Sequence, residues 1–241
     1  MQSVADRFTR VASGYDRLNR ILSFGLDVIW RRRAVGCLEN ALGNRRNDDV
    51  AILDLATGTA DFAIAAARRF PRARVVGVDL TPAMLELAAR KVMAARLAGR
   101  IELLSGDAAA LPYGDEMFDA ALCAFGFRNF ADRNMSLCGL SRVLKEGGHL
   151  VVLEFFRPRS RLLGGATATW LKIAASVFAR AAAEDYAYLR SSISGTCSEQ
   201  EFVAEATQAG FVLERKSLFL PACSCILLRK YGKMQKTFGD R

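Results

Sequence analysis

The fold is decided by residues 51–61, which read Ala51-Ile52-Leu53-Asp54-Leu55-Ala56-Thr57-Gly58-Thr59-Ala60-Asp61. A short apolar run with an acid near its end stops at a turn of small residues, and an alanine-rich helical pattern follows over residues 62–70. This order is typical of a buried parallel strand that leads through a tight turn into the N-terminus of a helix.

A second apolar run begins at Val75 and ends in Asp79, at the distance from the turn where ribose-binding folds carry an acid. The glycine turn admits the ligand, and the carboxylate accepts hydrogen bonds from the ribose hydroxyls. The two features alone fit an ordinary βαβ unit with an incidental acid almost as well, so other residues have to decide.

Length and composition indicate one domain with a substantial core, since 51% of the 241 residues are hydrophobic and 24% are charged. The formal net charge of +9 favours anionic partners. The basic residues are scattered, without the basic stripe interleaved with aromatic residues that binds single strands. We therefore expect transient contact with an anionic membrane surface, and no nucleic acid.

The cysteines indicate a redox compartment. The six cysteines are dispersed, no Cys-x-x-Cys pair occurs, and the one histidine, His149, is remote from them in sequence. This pattern predicts a reduced, cytoplasmic protein without a metal site. The polar and charged first residues predict no secretory signal.

The chain reads as a single domain over residues 1–241, which begins with a helical cap and continues into an α/β core. The cap covers residues 1–43, and its last helix has Asp27 as its N-cap and ends at Gly43. Residues 50–156 predict five parallel strands covered by helices on both faces. The predicted strands are 51–55, 74–78, 101–105, 118–124 and 149–155, and a helix over 132–145 stops at glycines 147 and 148.

Two further parts follow the core. Residues 157–197 predict a helical insertion whose apolar face includes Trp170; this face either packs on the domain or receives a lipid tail or touches a membrane. In residues 198–230, Ser198 and Glu201 form a capping box that opens a helix, and two apolar runs form a final hairpin around Pro221.

The turn and the strand ends indicate which ligand the core binds. The turn lacks the three-glycine pattern of a dinucleotide fold, and Asp61 puts a negative charge where a pyrophosphate needs a positive helix end. S-adenosylmethionine (SAM) suits the turn better, because it carries a sulfonium, an ammonium, a ribose and an adenine, and no phosphate. Asp107 is placed to accept from the adenine amino group, and Ala108 supplies a backbone N–H. The strand ends, where parallel α/β folds bind ligands, carry Asp54, Gly58, Asp79 and Asp107.

More specific motifs lie outside this core: Tyr15-Asp16-Arg17-Leu18-Asn19, Phe125-Gly126-Phe127-Arg128-Asn129 and Arg142-Val143-Leu144-Lys145-Glu146-Gly147-Gly148. With them, the chain from Val4 to Arg229 resembles the quinone-biosynthesis C-methyltransferases of the UbiE/MenG type. The resemblance implies the α/β fold of class I SAM-dependent methyltransferases: a Rossmann-like seven-stranded sheet, with five parallel strands plus a C-terminal hairpin, and an N-terminal helical cap. It also implies methyl transfer to a ring carbon of a prenylated quinol, with demethylmenaquinol as the first choice.

Taken residue by residue, the resemblance implies a set of cofactor contacts. These are Gly58 and Thr59 at the turn, Asp79 at the ribose, and Asp107 and Ala108 near the adenine. The chain departs from the family's usual residues at Asp27, at Phe156 and at Ala124, where the family has a serine that contacts the cofactor. At Ala124 the side-chain contact is lost or is made by the backbone, and the departures at Asp27 and Phe156 put acceptor specificity in question more than the reaction.

The chemistry needs a group that acts on the quinol. A ring carbon is a poor nucleophile until a neighbouring phenol loses its proton, and the pKa of a phenol is about 10. Because Phe127-Arg128-Asn129 follows the fourth strand into the cleft, our hypothesis is that Arg128 stabilises the phenolate as the catalytic residue and that Asn129 orients the ring. The alternative for Arg128 is an ion pair with a loop acid. Tyr15, with Asp16, either closes over the site as a lid or fixes two helices together. We expect a structural role for His149.

Other functions stay open. The runner-up acceptor is the benzoquinol of ubiquinone biosynthesis, and the remaining alternatives are a methyltransferase for another small molecule and a cofactor-binding scaffold without turnover. The isoprenoid tail of the acceptor and the basic C-terminus predict a cytoplasmic protein that attaches peripherally to the inner face of the membrane. The oligomeric state is open, a homodimer included.

Overall fold

The computed structural model of the chain describes residues 16, 19–20, 23–157, 165, 169, 195–219 and 223–231. Several expectations fall outside these ranges: the helices before residue 16, the substrate contact of Tyr15, most of the 157–197 insertion with Trp170, and the turn at Pro221.

The strands of the described residues form one seven-stranded sheet in the order β3-β2-β1-β4-β5-β7-β6. The first five strands are parallel, and β7 runs antiparallel between β5 and β6. The predicted sheet of five parallel strands plus a C-terminal hairpin is therefore confirmed. The strands are β1 (Ala51–Leu55), β2 (Arg74–Asp79), β3 (Ile101–Ser105), β4 (Phe118–Ala124), β5 (Leu144–Glu154), β6 (Phe211–Phe219) and β7 (Cys223–Lys230).

Helices cover both faces of the sheet, as the alternation of strands and helices predicts. One hydrophobic cluster joins the sheet to α1, α2 and α3, and a second joins its other face to α4 and α5. The described helices are α1 (Leu26–Leu42), α2 (Asp61–Arg69), α3 (Pro82–Ala94), α4 (Arg133–Val143) and α5 (Glu199–Gln208), with short 3-10 helices at Gly43–Asn47 and Phe127–Asn129. Among them, no helix is both long and apolar enough to cross a bilayer.

The strand order reverses between β1 and β4, and this reversal positions the site. From β1 the chain continues outward through β2 and β3, and it then returns to the other side of β1 as β4. Parallel α/β sheets bind ligands in the crevice that opens at such a point, beyond the carboxyl ends of the strands.

The prediction that Asp27 is a helix N-cap is wrong. The N-cap is Gly25, two residues earlier and in the left-handed conformation (φ 75°), and helix α1 begins at Leu26. Asp27 lies inside the first turn and is only 3% exposed. Its carboxylate accepts hydrogen bonds from the Ser23 hydroxyl (2.9 Å) and from Arg31 (2.7 Å), and it also pairs with Arg20. The Asp27 carboxylate therefore binds these side chains and does not accept from the backbone N–H groups of the helix N-terminus.

The predicted boundary between α4 and β5 is also wrong. Helix α4 ends at Val143, and β5 begins at once with Leu144, so Gly147 and Gly148 lie in the strand. The register between β4 and β5 shifts in this segment, and Gly147 has a φ of 71°. The glycines therefore do not end a helix. They lie where β5 has more residues than β4 opposite it, and glycine permits the backbone conformation that this bulge requires.

The predicted capping box is confirmed. The Ser198 hydroxyl accepts from the backbone N–H of Glu201 (3.3 Å), and the Glu201 carboxylate accepts from the backbone N–H of Ser198 (2.7 Å). The box opens α5, which buries Phe202 and Ala206 against the sheet.

We predict that Ser198→Ala lowers the free energy of unfolding by about 1 kcal/mol, because one backbone donor of the first turn loses its acceptor. Urea unfolding measures the change. Gln200→Ala, an exposed position in the same turn, is the control. Equal midpoints for the two variants would contradict the prediction.

Candidate functional site

A cavity of about 310 Å³ opens at the carboxyl ends of the central strands. It is lined by the turn after β1, the end of β2, and the loops after β3 and β4. Five residues that the sequence analysis selected line this cavity together: Gly58, Asp79, Asp107, Ala108 and Asn129. The cavity therefore lies at the reversal of strand order.

The turn after β1 has an uncommon backbone. Ala56 (φ 54°), Gly58 (φ 54°) and Ala60 (φ 65°) are all left-handed, a conformation in which the two alanines carry strain. The backbone N–H of Thr57, between them, donates to the carbonyl of Val78 at the end of β2 (3.0 Å). The strained turn is thus tied directly to the neighbouring strand.

Asp54 braces the same turn from inside the protein. One oxygen of its carboxylate accepts from the Thr57 hydroxyl (2.6 Å) and from the backbone N–H of Ala63 in α2 (2.9 Å). Asp54 is 1% exposed, and burial raises its pKa to about 7. Asp54 does not line the cavity, so its contribution to the site is to hold the turn.

The raised pKa of Asp54 predicts a pH dependence of stability. Between the ordinary pKa of 3.8 and about 7 the folded protein keeps a proton that the unfolded chain releases, so this contribution to stability is lost as pH rises through that window. The Asp54→Asn variant has no such proton to lose. We therefore predict that its free energy of unfolding, minus that of the unmodified protein, increases by about 2 kcal/mol from pH 5 to pH 8.

Urea unfolding at both pH values tests this prediction. Asp115→Asn removes an exposed carboxylate and is the control. A constant difference between Asp54→Asn and the unmodified protein across the window would contradict it.

Asp79, at the end of β2, connects three parts of the cavity wall. Its two oxygens accept from the backbone N–H of Gly58 (2.8 Å) and of Thr81 (2.9 Å). Burial raises the pKa of this carboxyl above its usual value. Because a carboxylate has about four acceptor positions, Asp79 retains acceptors for the hydroxyls of a ligand.

The cavity carries acidic groups and apolar surface. Asp107 lies on the wall after β3, where one carboxylate oxygen accepts from the backbone N–H of Ala109 (2.9 Å). Among the described residues that line the cavity, Asp79 and Asp107 are the charged ones, and none is lysine or arginine. This donor and acceptor set suits hydroxyls, an amino group and positive charge, and it does not suit phosphate.

Asp61 and Thr59, at the end of the turn, contact other residues of the protein. Asp61 pairs with Lys91 (2.6 Å) and Arg20 (3.0 Å); burial opposes its charge, but these cations outweigh burial and hold its pKa below the usual value. The Thr59 hydroxyl, which is buried, bonds to Asp16 and accepts from Lys91. Neither residue lines the cavity. The contact of Thr59 with the cofactor therefore stays a prediction, and the acids that line the cavity are Asp79 and Asp107.

Lys91 is a residue that the sequence analysis missed. It reaches from α3 to Asp16, Thr59 and Asp61, and so it links the N-terminal cap to the outer side of the turn. Its partners are 30 or more residues away in sequence, so no local pattern indicates the contact.

Arg128 has a buried partner at the end of β5. Its guanidinium pairs with Glu154, and its backbone N–H donates to the same carboxylate (3.3 Å). The Glu154 side chain is 1% exposed. The alternative considered for Arg128, an ion pair with an acid, is therefore present in the structure. The acid lies at the end of a strand and not in a loop. The sequence signal for this pair was Glu154, an acid near the end of the apolar run 149–155.

Aromatic rings pack beside this pair. Phe125 (φ 61°) lines the cavity and stacks on Phe155 with ring centroids 5.1 Å apart. Trp30 from α1 contacts both rings, and the Arg128 guanidinium lies 5.8 Å from the Phe125 centroid. Such a wall offers a flat apolar surface beside a cation.

His149 takes the structural position that we expected. It lies in β5, opposite Arg229 of β7, and its Nε2 is 3.2 Å from Glu214. Burial lowers its pKa below the usual value, against the opposing effect of Glu214. His149 does not line the cavity.

Comparison with known proteins agrees with this geometry. Residues 1–222 match the model of the ubiE/COQ5 methyltransferase family. The chain belongs to the ubiE/COQ5 methyltransferase family. Like the rest of this family, it is a SAM-dependent C-methyltransferase.

Two curated relatives and one solved structure show the extent of the similarity. The chain is 40% identical over 215 residues to a ubiquinone/menaquinone biosynthesis C-methyltransferase from Geobacter sulfurreducens, covering 87% of this chain and 81% of the relative. It is 50% identical over 157 residues to a demethylmenaquinone methyltransferase from Thermus thermophilus, covering 65% of this chain and 68% of the relative. The crystal structure of a SAM-dependent methyltransferase from Thermotoga maritima matches with a TM-score of 0.65 at 21% identity, covering 94% of this chain and 99% of that one, which supports the class I fold.

The cavity of this ubiE/COQ5 family member fits SAM. Asp79 and Asp107 offer carboxylate acceptors of the kind that ribose hydroxyls and an adenine amino group need, and their charges suit a cationic ligand. Apolar surface for the adenine ring comes from Leu80, Met84 and Phe130.

We predict that Asp79→Asn weakens SAM binding by about tenfold or more, because a charged hydrogen bond to the ribose becomes a neutral one. Isothermal titration calorimetry gives the dissociation constant. Asp115→Asn is again the control, and thermal unfolding without ligand checks that the turn persists. Unchanged affinity in a folded Asp79→Asn variant would contradict the prediction.

Proposed function

We propose that this methyltransferase moves a methyl group from SAM to a ring carbon of a prenylated quinol, and that demethylmenaquinol is the acceptor. The observation that carries the proposal is the segment after β4, which puts Phe125 and Asn129 on the cavity wall and Arg128 beside them. The name of the Thermus thermophilus relative supports this choice of acceptor.

SAM supplies the activated methyl group, and the protein has to align that group with the acceptor carbon and keep water out. Asp79 and Asp107 hold the ribose and the adenine by their hydrogen bonds, with the turn at Gly58 against the ligand. The Phe125 and Phe155 stack provides the apolar wall beside which the quinol ring lies, and Asn129 orients that ring.

Arg128 is the proposed catalytic residue. Its positive charge stabilises the phenolate that makes the ring carbon nucleophilic, so less free energy is needed to remove the phenol proton at neutral pH. Glu154 fixes the guanidinium through the buried ion pair, and so acts as a positioning residue for Arg128.

We predict that Arg128→Ala lowers kcat by about a hundredfold or more, and that Arg128→Lys, which keeps the charge, loses less. Because Arg128→Ala leaves Glu154 buried without its cation, Arg128→Met combined with Glu154→Gln provides a variant without either charge. Methyl transfer from labelled SAM measures kcat, and calorimetric SAM binding confirms folding.

His149→Gln is the control for this series and should keep most of its activity, since His149 lies away from the cavity. Full turnover in both Arg128→Lys and the double variant, with SAM binding intact, would contradict the role of Arg128.

One product assay decides between the proposed acceptors. The protein is incubated with methyl-labelled SAM and with either demethylmenaquinol or the benzoquinol of ubiquinone biosynthesis, under reducing conditions. We expect label in menaquinol. The name of the Geobacter sulfurreducens relative covers both pathways and favours the benzoquinol as the second candidate. SAM binding without turnover on either quinol would indicate a scaffold in place of an enzyme.

The acceptor carries an isoprenoid tail, so the enzyme has to meet it at a bilayer. We propose transient, peripheral attachment at the cytoplasmic face of the membrane, supported by the net charge of +9. The attraction of a basic protein to anionic lipids falls as salt rises.

A further inference from the structure

A second cavity of about 380 Å³ lies between α1 and α2. The two helices are joined by ion pairs, with Arg20 spanning Asp27 and Asp61 at one end and Arg69 meeting Glu39 at the other. Among the described residues that line it, five are arginines and one is acidic: Arg20, Arg31, Arg32, Arg68, Arg69 and Asp61. We call this cavity the arginine cleft.

The arginine cleft carries positive charge beyond what its acids balance. Asp61 is already paired with Lys91 and Arg20, and Asp27, next to the cleft, is paired with Arg20 and Arg31. Arg32 and Arg68 are exposed and form no ion pair with any residue of the described ranges. The cleft therefore has guanidinium groups available for an anion, and guanidinium matches phosphate in shape and charge.

The floor of the arginine cleft is apolar. Val28, Val35, Ile64 and Ala65 lie between the arginines, and Val35 and Ile64 are buried. A simple anion gains nothing from such a floor, and a neutral lipid gains nothing from guanidinium groups. The combination suits an amphiphilic anion, in which a phosphate joins hydrocarbon.

Apolar residues are exposed on the same helix. Ile29 is 44% exposed and lies one turn before Arg32 on α1, and Phe24, in the turn before α1, is 48% exposed. Exposed apolar side chains beside arginines are the composition of a surface that lies on an anionic bilayer.

The arginine cleft adjoins the SAM cavity. Asp61, which lines the cleft, follows three residues after Gly58, which lines the cavity. A surface held at the cleft therefore lies next to the turn that holds the methyl donor.

We propose that the arginine cleft binds the phosphate headgroup of an anionic phospholipid and so docks the enzyme on the bilayer. The benefit of docking rests on the proposed function, because a prenylated quinol is reached only at a membrane. The headgroup phosphate lies among the guanidinium groups of Arg32 and Arg68, and the adjoining hydrocarbon lies on the apolar floor.

Vesicle binding tests the proposal, with phosphatidylglycerol vesicles as the probe and phosphatidylcholine vesicles as the neutral reference. We expect Arg32→Glu combined with Arg68→Glu to weaken binding to phosphatidylglycerol by about tenfold or more. Arg74→Glu combined with Arg90→Glu is the matched control, since both arginines are exposed, lie outside the cleft and change the net charge equally. We expect the control to lose less than about threefold. SAM affinity should be unchanged in both variants.

Two results would overturn the proposal. An equal loss in the two double variants would assign vesicle binding to overall charge and not to the cleft. The second result is a protein that does not bind vesicles but binds inorganic phosphate in calorimetry. If Arg32→Glu with Arg68→Glu abolished that phosphate binding, the ligand of the cleft would be a soluble anion.

A soluble acceptor separates this proposal from the proposed function. Methylation of a short-tailed demethylmenaquinol needs no membrane, so the arginine variants should keep it. If turnover were normal but the cleft and control double variants bound phosphatidylglycerol vesicles equally, only the docking site would be overturned. Selective loss of vesicle binding in a protein without turnover on any quinol would support the docking site and overturn the proposed function.

Discussion

The structure depends on the brace that Asp54 and Asp79 place around the turn after β1. Three residues of this turn are left-handed, and two of them are alanines, so the turn persists because the carboxylates of Asp54 and Asp79 bind nearby backbone N–H groups and the Thr57 hydroxyl. Two glycines pack against this turn at positions where a side chain would collide with it. A Cβ on Gly77 would lie 2.9 Å from the Thr57 hydroxyl oxygen, and one on Gly126 would lie 2.7 Å from the Cβ of Ala56.

The turn also separates two environments of opposite charge. On one side, Asp79 and Asp107 give the cavity an acidic character that suits a sulfonium donor. On the other side, Asp61 is paired with Lys91 and Arg20, and the surface beyond it is rich in arginine. The acids near this turn are therefore divided, because Asp79 and Asp107 line the cavity and Asp61 is paired with cations of the protein.

The buried pair of Arg128 and Glu154 shows a second constraint. Removing two charges from water costs several kcal/mol per ion, so a pair of this kind is weak evidence for stability alone. Phe125, which lies beside this pair, lines the SAM cavity, and this placement is the basis of the catalytic role that we propose for Arg128.

The sequence by itself determined the strands of the core apart from the start of β5, and it determined the hairpin and the capping box. It also determined the residues Gly58, Asp79, Asp107, Ala108 and Asn129 of the cavity wall. These features follow from hydrophobic periodicity, turn chemistry and the rule that parallel strands end at one edge, all of which act over short stretches of chain. Only the tertiary structure decided that Arg128 meets Glu154, that Lys91 meets Thr59 and Asp61, and that arginines of α1 and α2 line one cleft. Those contacts join residues far apart in sequence, so they depend on how helices pack against the sheet, which no local pattern encodes.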